Sequence, residues 1–450
     1  FQTKMKLKLL LIVLSCLAQT LGYQSYRGYK LFQIQAGEEI TPILEQLETE
    51  VVEIDEKTGR NRVLVDVWAE PHHRRDYAHV MVAPEFVKSF KELLEAEGFN
   101  SYRIVKRDLQ KDIDNSNWRK YSRISRRHKR RLTSSKDLDI KDFNNYDKIS
   151  DYIEKITEEH PNLAEKLDIG ETFEGRKLVG IKIGSSVRKH KPAIFIDAGV
   201  HAREWIAPAA AIFLVDKLVR DYGNNPRVTG LVDKFNWYIV PVANPDGYAY
   251  SFEKDRFWRK TRSRNMTVNK WCVGADANRN WGGRGWGEIG ANRSPCSNIY
   301  AGSIPFSEPE VVSLKQFIEN SVQDLKIYIS LHSYGQLFLS PWGYTNDKPD
   351  NHDDQMRAAE LAVEAIKNES GRIYHHGTIA ELMYPASGTS IDYMQELGVP
   401  YIYGIELRPE DMGDNFGFTV PKEEIEPTGN ELFSALAKMS DYVIEHKKLL

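Results

Sequence analysis

The 450-residue chain holds only three cysteines, has no excess of basic over acidic residues, and contains no segment with the roughly 20 apolar residues of a membrane helix. Each shortage excludes something. Sixty-one Lys and Arg stand against 64 Asp and Glu, a net charge of −3, so the basic surplus that a nucleic-acid partner requires is missing. Without a long apolar run the product is expected to be free of the membrane. What is present, 41% hydrophobic and 28% charged residues, suffices for a large core, best divided between two domains.

The N-terminus reads as an export address. After Met5 come Lys6 and Lys8, an apolar run over 9–17, and the small-residue context Thr20-Leu21-Gly22, so a signal-peptide region is expected over 1–22 and the product is expected to be secreted. Cys16 would leave with it. Cys272 and Cys296 remain, and an oxidising compartment favours their pairing in one disulfide. Sequons at Asn265, Asn292 and Asn368 fit the same compartment.

Residues 23–110 read as a small α+β pro-domain. The alternation in Arg62-Val63-Leu64-Val65-Asp66-Val67-Trp68 predicts a strand, and Phe86, Phe90, Leu93 and Leu94 share a helix face that ends near Gly98. A linker over 111–131 follows, and in its last part, 126–131, five of six residues are Lys or Arg. Such a run repels itself and stays exposed. It could serve as a solvated linker, a patch for an anionic surface, or a cleavage site. Between two foldable units of an exported chain, we read it as the target of a trypsin-like or furin-like activating protease.

The rest, 132–450, reads as a catalytic α/β domain. Apolar strands are predicted over 178–183, 193–198, 237–242, 325–331 and 401–405, with helices over 148–158, 208–218, 308–320, 355–367 and 431–447. Ser307-Glu308-Pro309-Glu310 has the pattern of a capping box with proline in the first turn. Strands apolar on both faces, alternating with helices, predict a mixed, mostly parallel twisted sheet covered on both sides.

The chemistry-bearing residues sit at strand ends. Gly199-Val200-His201-Ala202-Arg203-Glu204-Trp205 follows the 193–198 strand, and a turn there places His201 and Glu204 on one side. His-x-x-Glu alone is a weak signal. Yet His332 and Glu406 also stand just after apolar strands, and ligands of open α/β sheets bind outside the carboxyl ends of the strands. Two histidines and one carboxylate, with a position left for water, are the donor set of a catalytic zinc.

Dispersed motifs make the comparison specific. They are His201-Ala202-Arg203-Glu204, Asn244-Pro245-Asp246-Gly247-Tyr248, Phe257-Trp258-Arg259-Lys260, Asp276-Ala277-Asn278-Arg279-Asn280, His332-Ser333-Tyr334, Ser387-Gly388 with Ile391-Asp392, and Glu406-Leu407-Arg408. With them the chain resembles the pancreatic-type metallocarboxypeptidase precursors of the carboxypeptidase A and B group. The resemblance implies one zinc per chain held by His201, Glu204 and His332, with Glu406 as general base on the zinc-bound water. It implies Arg259 as the cation that meets the developing oxyanion. Asn278 and Arg279, with Tyr384, would grip the C-terminal carboxylate of a peptide or protein substrate, and Arg203 would assist along the peptide path. A monomer is expected.

In this family an aspartate marks basic-residue specificity at the position matched by Ile391. An apolar residue there implies aliphatic or aromatic C-terminal residues, because a buried Lys or Arg would lack a partner. Gly404 and Thr389 depart from the mammalian digestive pattern, and Gly404 could widen the pocket. The alternatives are a B-type enzyme and an inactive homologue that binds C-terminal peptides. The latter is disfavoured because Glu406 and Arg259 are both present.

Overall fold

Side-chain periodicity sets the two layers of the N-terminal unit. In the computed structural model, residues 23–50, 52–55, 60–72, 75–115, 138–188, 190–410 and 417–447 are described. The signal-peptide region with Cys16 and the basic run at 126–131 lie outside them. Strands β1 (Lys30–Gln35), β4 (Val65–Ala69), β5 (Tyr77–Val82) and β6 (Tyr102–Lys106) form an antiparallel sheet in the order β4-β5-β1-β6, beside a hairpin of β2 (Val52–Asp55) and β3 (Arg60–Val63). Helices α1 (Thr41–Glu50), α2 (Val87–Ala96) and α3 (Leu109–Asn115) complete it. Buried Phe90 and Leu94 lie on the inner face of α2, as their spacing predicts, and Gly98 beyond its end takes φ +87°, a conformation that glycine adopts without penalty.

The second unit is built on one eight-stranded sheet. Its strands are β7 (Ala164–Glu171), β8 (Lys177–Ile183), β9 (Ala193–Ala198), β10 (Asn236–Val240), β11 (Leu325–Ser333), β12 (Leu337–Ser340), β13 (His375–Thr378) and β14 (Tyr401–Leu407), in the order β13-β12-β14-β11-β9-β10-β8-β7. The neighbours β14-β11-β9-β10 are mutually parallel, as are β12 and β13, while β12-β14, β10-β8 and β8-β7 are antiparallel. The mixed, mostly parallel sheet is therefore as expected.

Helices flank or bridge these strands, and the sheet separates two cores because successive side chains of a strand point to opposite faces. They are α4 (Tyr146–Glu159), α5 (Ile206–Arg220), α6 (Pro226–Lys234), α7 (Pro245–Glu253), α8 (Pro309–Ser321), α9 (His352–Ser370), α10 (Ile379–Leu382), α11 (Ser390–Glu396) and α12 (Ile425–Lys447), with short 3₁₀ turns at Ala277–Arg279 and Lys422–Glu424. Ile194, Ile196, Ile329 and Ile405 pack with residues of α5, α9 and α12, whereas Phe195, Tyr328 and Ile402 pack with residues of α8 and α11. Core helix α5 is buried on all sides but its last turn, which its alanine-rich sequence permits.

Four expectations need correction. The strand expected over 62–68 is broken at Leu64 into the end of β3 and most of β4, which belong to different sheets. The 307–310 segment forms no capping box: Glu308 is the N-cap with no side-chain cap bond, and the Ser307 hydroxyl instead donates to Glu308 Oε1 at 2.9 Å. Pro309 does open the helix. His332 and Glu406 lie inside their strands rather than after them, since β11 and β14 extend to Ser333 and Leu407. Finally, α5 opens at Ile206 and α12 at Ile425, both earlier than predicted.

The two units meet through aromatic and polar contacts. Trp68 packs on Phe257 and Phe418, with ring centroids 4.8 and 5.1 Å away. Asp66 receives two hydrogen bonds from Arg203, at 2.7 and 3.0 Å. Buried His79 lies against Tyr334, its Nδ1 3.4 Å from the hydroxyl.

Candidate active site

Strand register brings the central residues together. In β11 and β14, His332 is the direct partner of Glu406, and Ser330 that of Gly404. A period of two puts Ser330 with His332 on one face and Gly404 with Glu406 beside them. From the neighbouring β9 the chain enters a tight turn at Gly199, where the Glu204 N–H donates to the His201 carbonyl at 3.2 Å before α5 begins. That turn is what carries His201 and Glu204 over the ends of the strands.

His201, Glu204 and His332 are all buried, and their ligand atoms lie within 4.8 Å of one another. His201 Nδ1 is 2.8 Å from Glu204 Oε1, His332 Nδ1 is 3.1 Å from Glu204 Oε2, and the two Nδ1 atoms are 3.2 Å apart. Two imidazole nitrogens facing each other beside a carboxylate concentrate lone pairs at one point, and a divalent cation satisfies all three. Two histidines and a carboxylate are a zinc donor set. The residues therefore fit a zinc ion, and among the described residues no second cluster of this kind is found.

The surrounding charges are held by their partners. Asp276 accepts from His201 Nε2 at 3.0 Å, from Arg259 Nη2 at 2.7 Å and Nε at 3.1 Å, and from the Asn278 N–H at 2.8 Å. Burial alone would raise its pKa, but Arg259 and His201 hold it well below the ordinary carboxylate range. Burial likewise disfavours charge on Arg259, yet Asp276 and Glu204 raise its pKa and keep it cationic. For Glu204, the adjacent histidines outweigh burial and lower the pKa. Burial in the cavity dominates at Glu406 and pushes its carboxyl up to about 7.

Every residue singled out from the sequence for this site lines one cavity: His201, Glu204, His332 and Glu406, Arg259 and Arg203, Asn278 and Arg279, Tyr384 and Ile391. Arg279 follows the Asp276-capped turn, and its Nε donates to the Gly290 carbonyl at 2.6 Å and Nη1 to the Asn278 carbonyl at 2.9 Å. Tyr384 stands in the loop between α10 and α11. Ile391, 2% exposed, belongs to α11 and faces the strand position of Gly404, where a Cβ would come 3.7 Å from Ile391 Cγ1. Leu339, Ile379, Met383 and Ala386 also line the cavity, so together with Ile391 they make part of its lining apolar.

Gly388 ties the polar and apolar parts together. It has φ +72°, and a Cβ there would lie 2.2 Å from the Arg279 carbonyl oxygen, so no side chain fits. The Trp281 N–H donates to the Gly388 carbonyl at 3.0 Å, and the Ser390 N–H to Asn278 Oδ1 at 3.1 Å. Cys272 and Cys296 form the expected disulfide, with Cα atoms 5.0 Å apart.

Arg203 has a partner that the sequence does not announce. It lines the cavity, but its guanidinium is paired with Asp66 of the N-terminal unit and stacked on Phe418 at 4.3 Å. Asp66 also accepts from Asn298 Nδ2 at 2.7 Å, and Trp68 and Glu70 of the same unit line the cavity. The sequence reading assigned no role to Asp276, Asp66 or Asn298. Asp276 opens the Asp276-Ala277-Asn278-Arg279-Asn280 motif, which is a usable signal; Asp66 pairs with Arg203 across 137 residues, and nothing local marks such a partner.

Residues 149–435 match the family described as zinc carboxypeptidase, and residues 47–116 match the one described as carboxypeptidase activation peptide. The chain is thus a member of the zinc carboxypeptidase family, a metalloprotease of the exopeptidase type carrying an activation peptide. It is 34% identical to carboxypeptidase A1 of Bos taurus over 437 residues, 97% of this chain and 99% of the bovine one. It is 41% identical to carboxypeptidase B of Astacus astacus over 307 residues, 68% of this chain and 98% of that one. Among solved structures, carboxypeptidase A from Helicoverpa armigera superposes with a TM-score of 0.80 at 25% identity, covering 95% of this chain and 100% of that one. The zinc cofactor follows from the family and from the His201, Glu204 and His332 cluster. Among the described residues no helix is long and apolar enough to cross a membrane.

Proposed function

We propose that the chain is a secreted zymogen which, once its pro-segment is removed, releases aliphatic and aromatic residues one at a time from peptide C-termini. The observation that carries this reading is one cavity whose lining joins the charged groups to an apolar cluster of Ile391, Leu339 and Gly404, where a Cβ on Gly404 would come 3.7 Å from Ile391 and 3.8 Å from Leu339. Zinc, when bound by His201, Glu204 and His332, supplies Lewis-acid chemistry that polarises a carbonyl and acidifies water. Glu406 takes the proton of the attacking water and returns it to the leaving amine; a carboxyl held near 7 by burial is poised for both transfers. Arg259, fixed on its Nε and Nη2 side by Asp276, directs its remaining edge toward the negative charge that develops on the carbonyl oxygen.

Arg279, Asn278 and Tyr384 hold the substrate's terminal carboxylate, which limits cleavage to the last bond. Arg203 attends the preceding residues once Asp66 has left it. The apolar cluster takes the terminal side chain. A Lys or Arg there would be buried without a counter-charge at Ile391, which opposes B-type specificity. We read the pro-domain as running from 23 to 115, five residues beyond the expected boundary at 110 because helix α3 extends to Asn115, with the cleaved linker following it to 131 and the enzyme at 132–450. Secretion is supported by the apolar N-terminal run and by the Cys272–Cys296 disulfide. Peptide termini and a trypsin-like or furin-like activator are the proposed partners.

The test is to assay the secreted precursor, before and after limited trypsin treatment, for release of C-terminal Phe, Leu, Arg and Glu from matched blocked peptides, with and without a zinc chelator. Chelator-sensitive release of Phe or Leu after trypsin is expected. Release of Arg instead would overturn the specificity, and no release from the zinc-loaded, processed protein would favour the peptide-binding alternative.

A further inference from the structure

We propose that Asp197 and Ser330 form a relay that fixes which nitrogen of His332 faces the metal, making both of them positioning residues for the site. The proposal rests on the reading of His332 as a metal ligand. Neither residue lines the cavity, and both lie in the sheet interior, Asp197 at 2% and Ser330 at 0% exposure. A carboxylate buried at the centre of a parallel sheet is costly unless its oxygens are satisfied.

Strand pairing supplies the contacts. Asp197 of β9 and Ser330 of β11 are direct register partners, and Tyr328, Ser330 and His332 share a face of β11 by the period of two. Asp197 Oδ2 accepts from the Tyr328 hydroxyl at 2.5 Å, and Oδ1 accepts from the Ser330 hydroxyl at 2.7 Å. Ser330 Oγ in turn lies 3.1 Å from His332 Nε2.

The direction of the chain follows from the groups. Burial raises the Asp197 pKa, and the Tyr328 and Ser330 hydroxyls that donate to it oppose that rise; as a carboxylate Asp197 can only accept, so the Ser330 proton points to it and the Ser330 oxygen is left to accept from His332. The imidazole then carries its proton on Nε2. Its Nδ1 presents a lone pair toward Glu204 and His201, 3.1 and 3.2 Å away. His201 reaches the same state with a direct carboxylate partner, Asp276 at 3.0 Å on Nε2, so the two histidines are oriented by the same device at two different lengths.

Zinc affinity of the full-length precursor, measured by competition with a chromophoric chelator, tests this alongside thermal melting of the metal-free protein. Ser330→Ala is expected to weaken zinc about tenfold to a hundredfold and to lower the metal-free melt as well, because buried Asp197 loses a donor; Ser330→Thr, which keeps the hydroxyl, is expected to restore affinity. Asp197→Asn should lose at least as much, because its amide can donate to Ser330 and turn the serine proton toward His332 Nε2, favouring the wrong tautomer. Unchanged affinity in Ser330→Ala, or no recovery in Ser330→Thr, would overturn the relay. If Asp197→Asn does not fold, the two serine variants decide alone. His332→Ala separates the two readings: loss of zinc there with normal zinc in Ser330→Ala sinks only the relay, whereas retained zinc in His332→Ala sinks the ligand assignment beneath it.

Discussion

The cavity has two walls built in different ways. The sheet wall sets His332 and Glu406 by backbone register and holds His201 and Arg259 on a shared Asp276. The wall from the N-terminal unit is held mainly by side chains, Asp66 on Arg203, Trp68 between Phe257 and Phe418, and His79 on Tyr334, with one backbone hydrogen bond from the Gln24 N–H to the Lys254 carbonyl at 2.6 Å. Moving the first wall means unpairing a sheet. Moving the second means breaking a few contacts, each of which leaves the catalytic unit intact. A precursor can thus carry a finished site and still keep it covered.

Variants in the sheet wall should remove chemistry and leave the cover in place, and those in the other wall should do the reverse. The largest effect is expected from Glu406→Gln, which removes the proposed proton acceptor: kcat/KM of the processed enzyme should fall about 10²- to 10⁴-fold with zinc content unchanged by metal analysis. Arg259→Met should lower kcat about 10²- to 10³-fold with a smaller change in KM, measured on the same blocked Phe peptide; a change confined to KM would place Arg259 in binding instead. On the opposite wall, Asp66→Ala strands the buried Arg203, and breaking such a pair costs about 3–5 kcal/mol. The cleaved pro-segment should therefore inhibit the mature enzyme far less tightly, while the activity of the freed enzyme stays at its normal value.

The smallest effect concerns acid. Burial, with Arg75 and Arg103 adding to it, lowers the pKa of His79 to about 3. A His79 released from the interface takes up a proton near pH 6.5, whereas the docked one stays neutral. Docking contributed by neutral His79 is therefore complete above pH 6.5 and weakens below it, by up to about 1.4 kcal/mol for each pH unit. Pro-segment affinity should drop between pH 6.5 and 5, and His79→Gln should flatten that drop in an inhibition titration. An unchanged pH slope in His79→Gln would show that some other group carries the acid sensitivity.

The two walls also differ in how far they could be read from sequence. The central strands β9, β10, β11 and β14 are apolar on both faces, so their positions and the residues at their ends were legible. The edge strands β7 and β13 were not. Their sequences, AEKLDIGE and HHGT, are rich in polar residues because half-exposed edges tolerate them, and β12 is only four residues long. The N-terminal unit was legible as a pro-domain, and the family resemblance implies that it caps the cleft, but the contacts that hold it there were not legible. Asp66 appeared as one polar residue in an alternating strand, and only folding shows that it meets Arg203. The capping box failed for a related reason: the Ser307 N–H donates to the Ile304 carbonyl at 3.2 Å and Glu310 Oε1 accepts from the Phe173 N–H at 3.2 Å, so a distant backbone donor took the carboxylate that the local motif would have used.

Gly388 has one more consequence. Because its backbone presses on Arg279 and is bonded to Trp281, the group proposed to feel the chain end and the pocket proposed to feel the last side chain cannot drift apart. Together they act as a ruler with two marks at a fixed separation, so a peptide is accepted only when both of its features fall on the marks at once. A side chain of the right kind within a loop, or a free carboxylate on the wrong residue, satisfies one mark and misses the other. Discrimination of this kind comes from a distance, and it requires no residue that is itself selective for both.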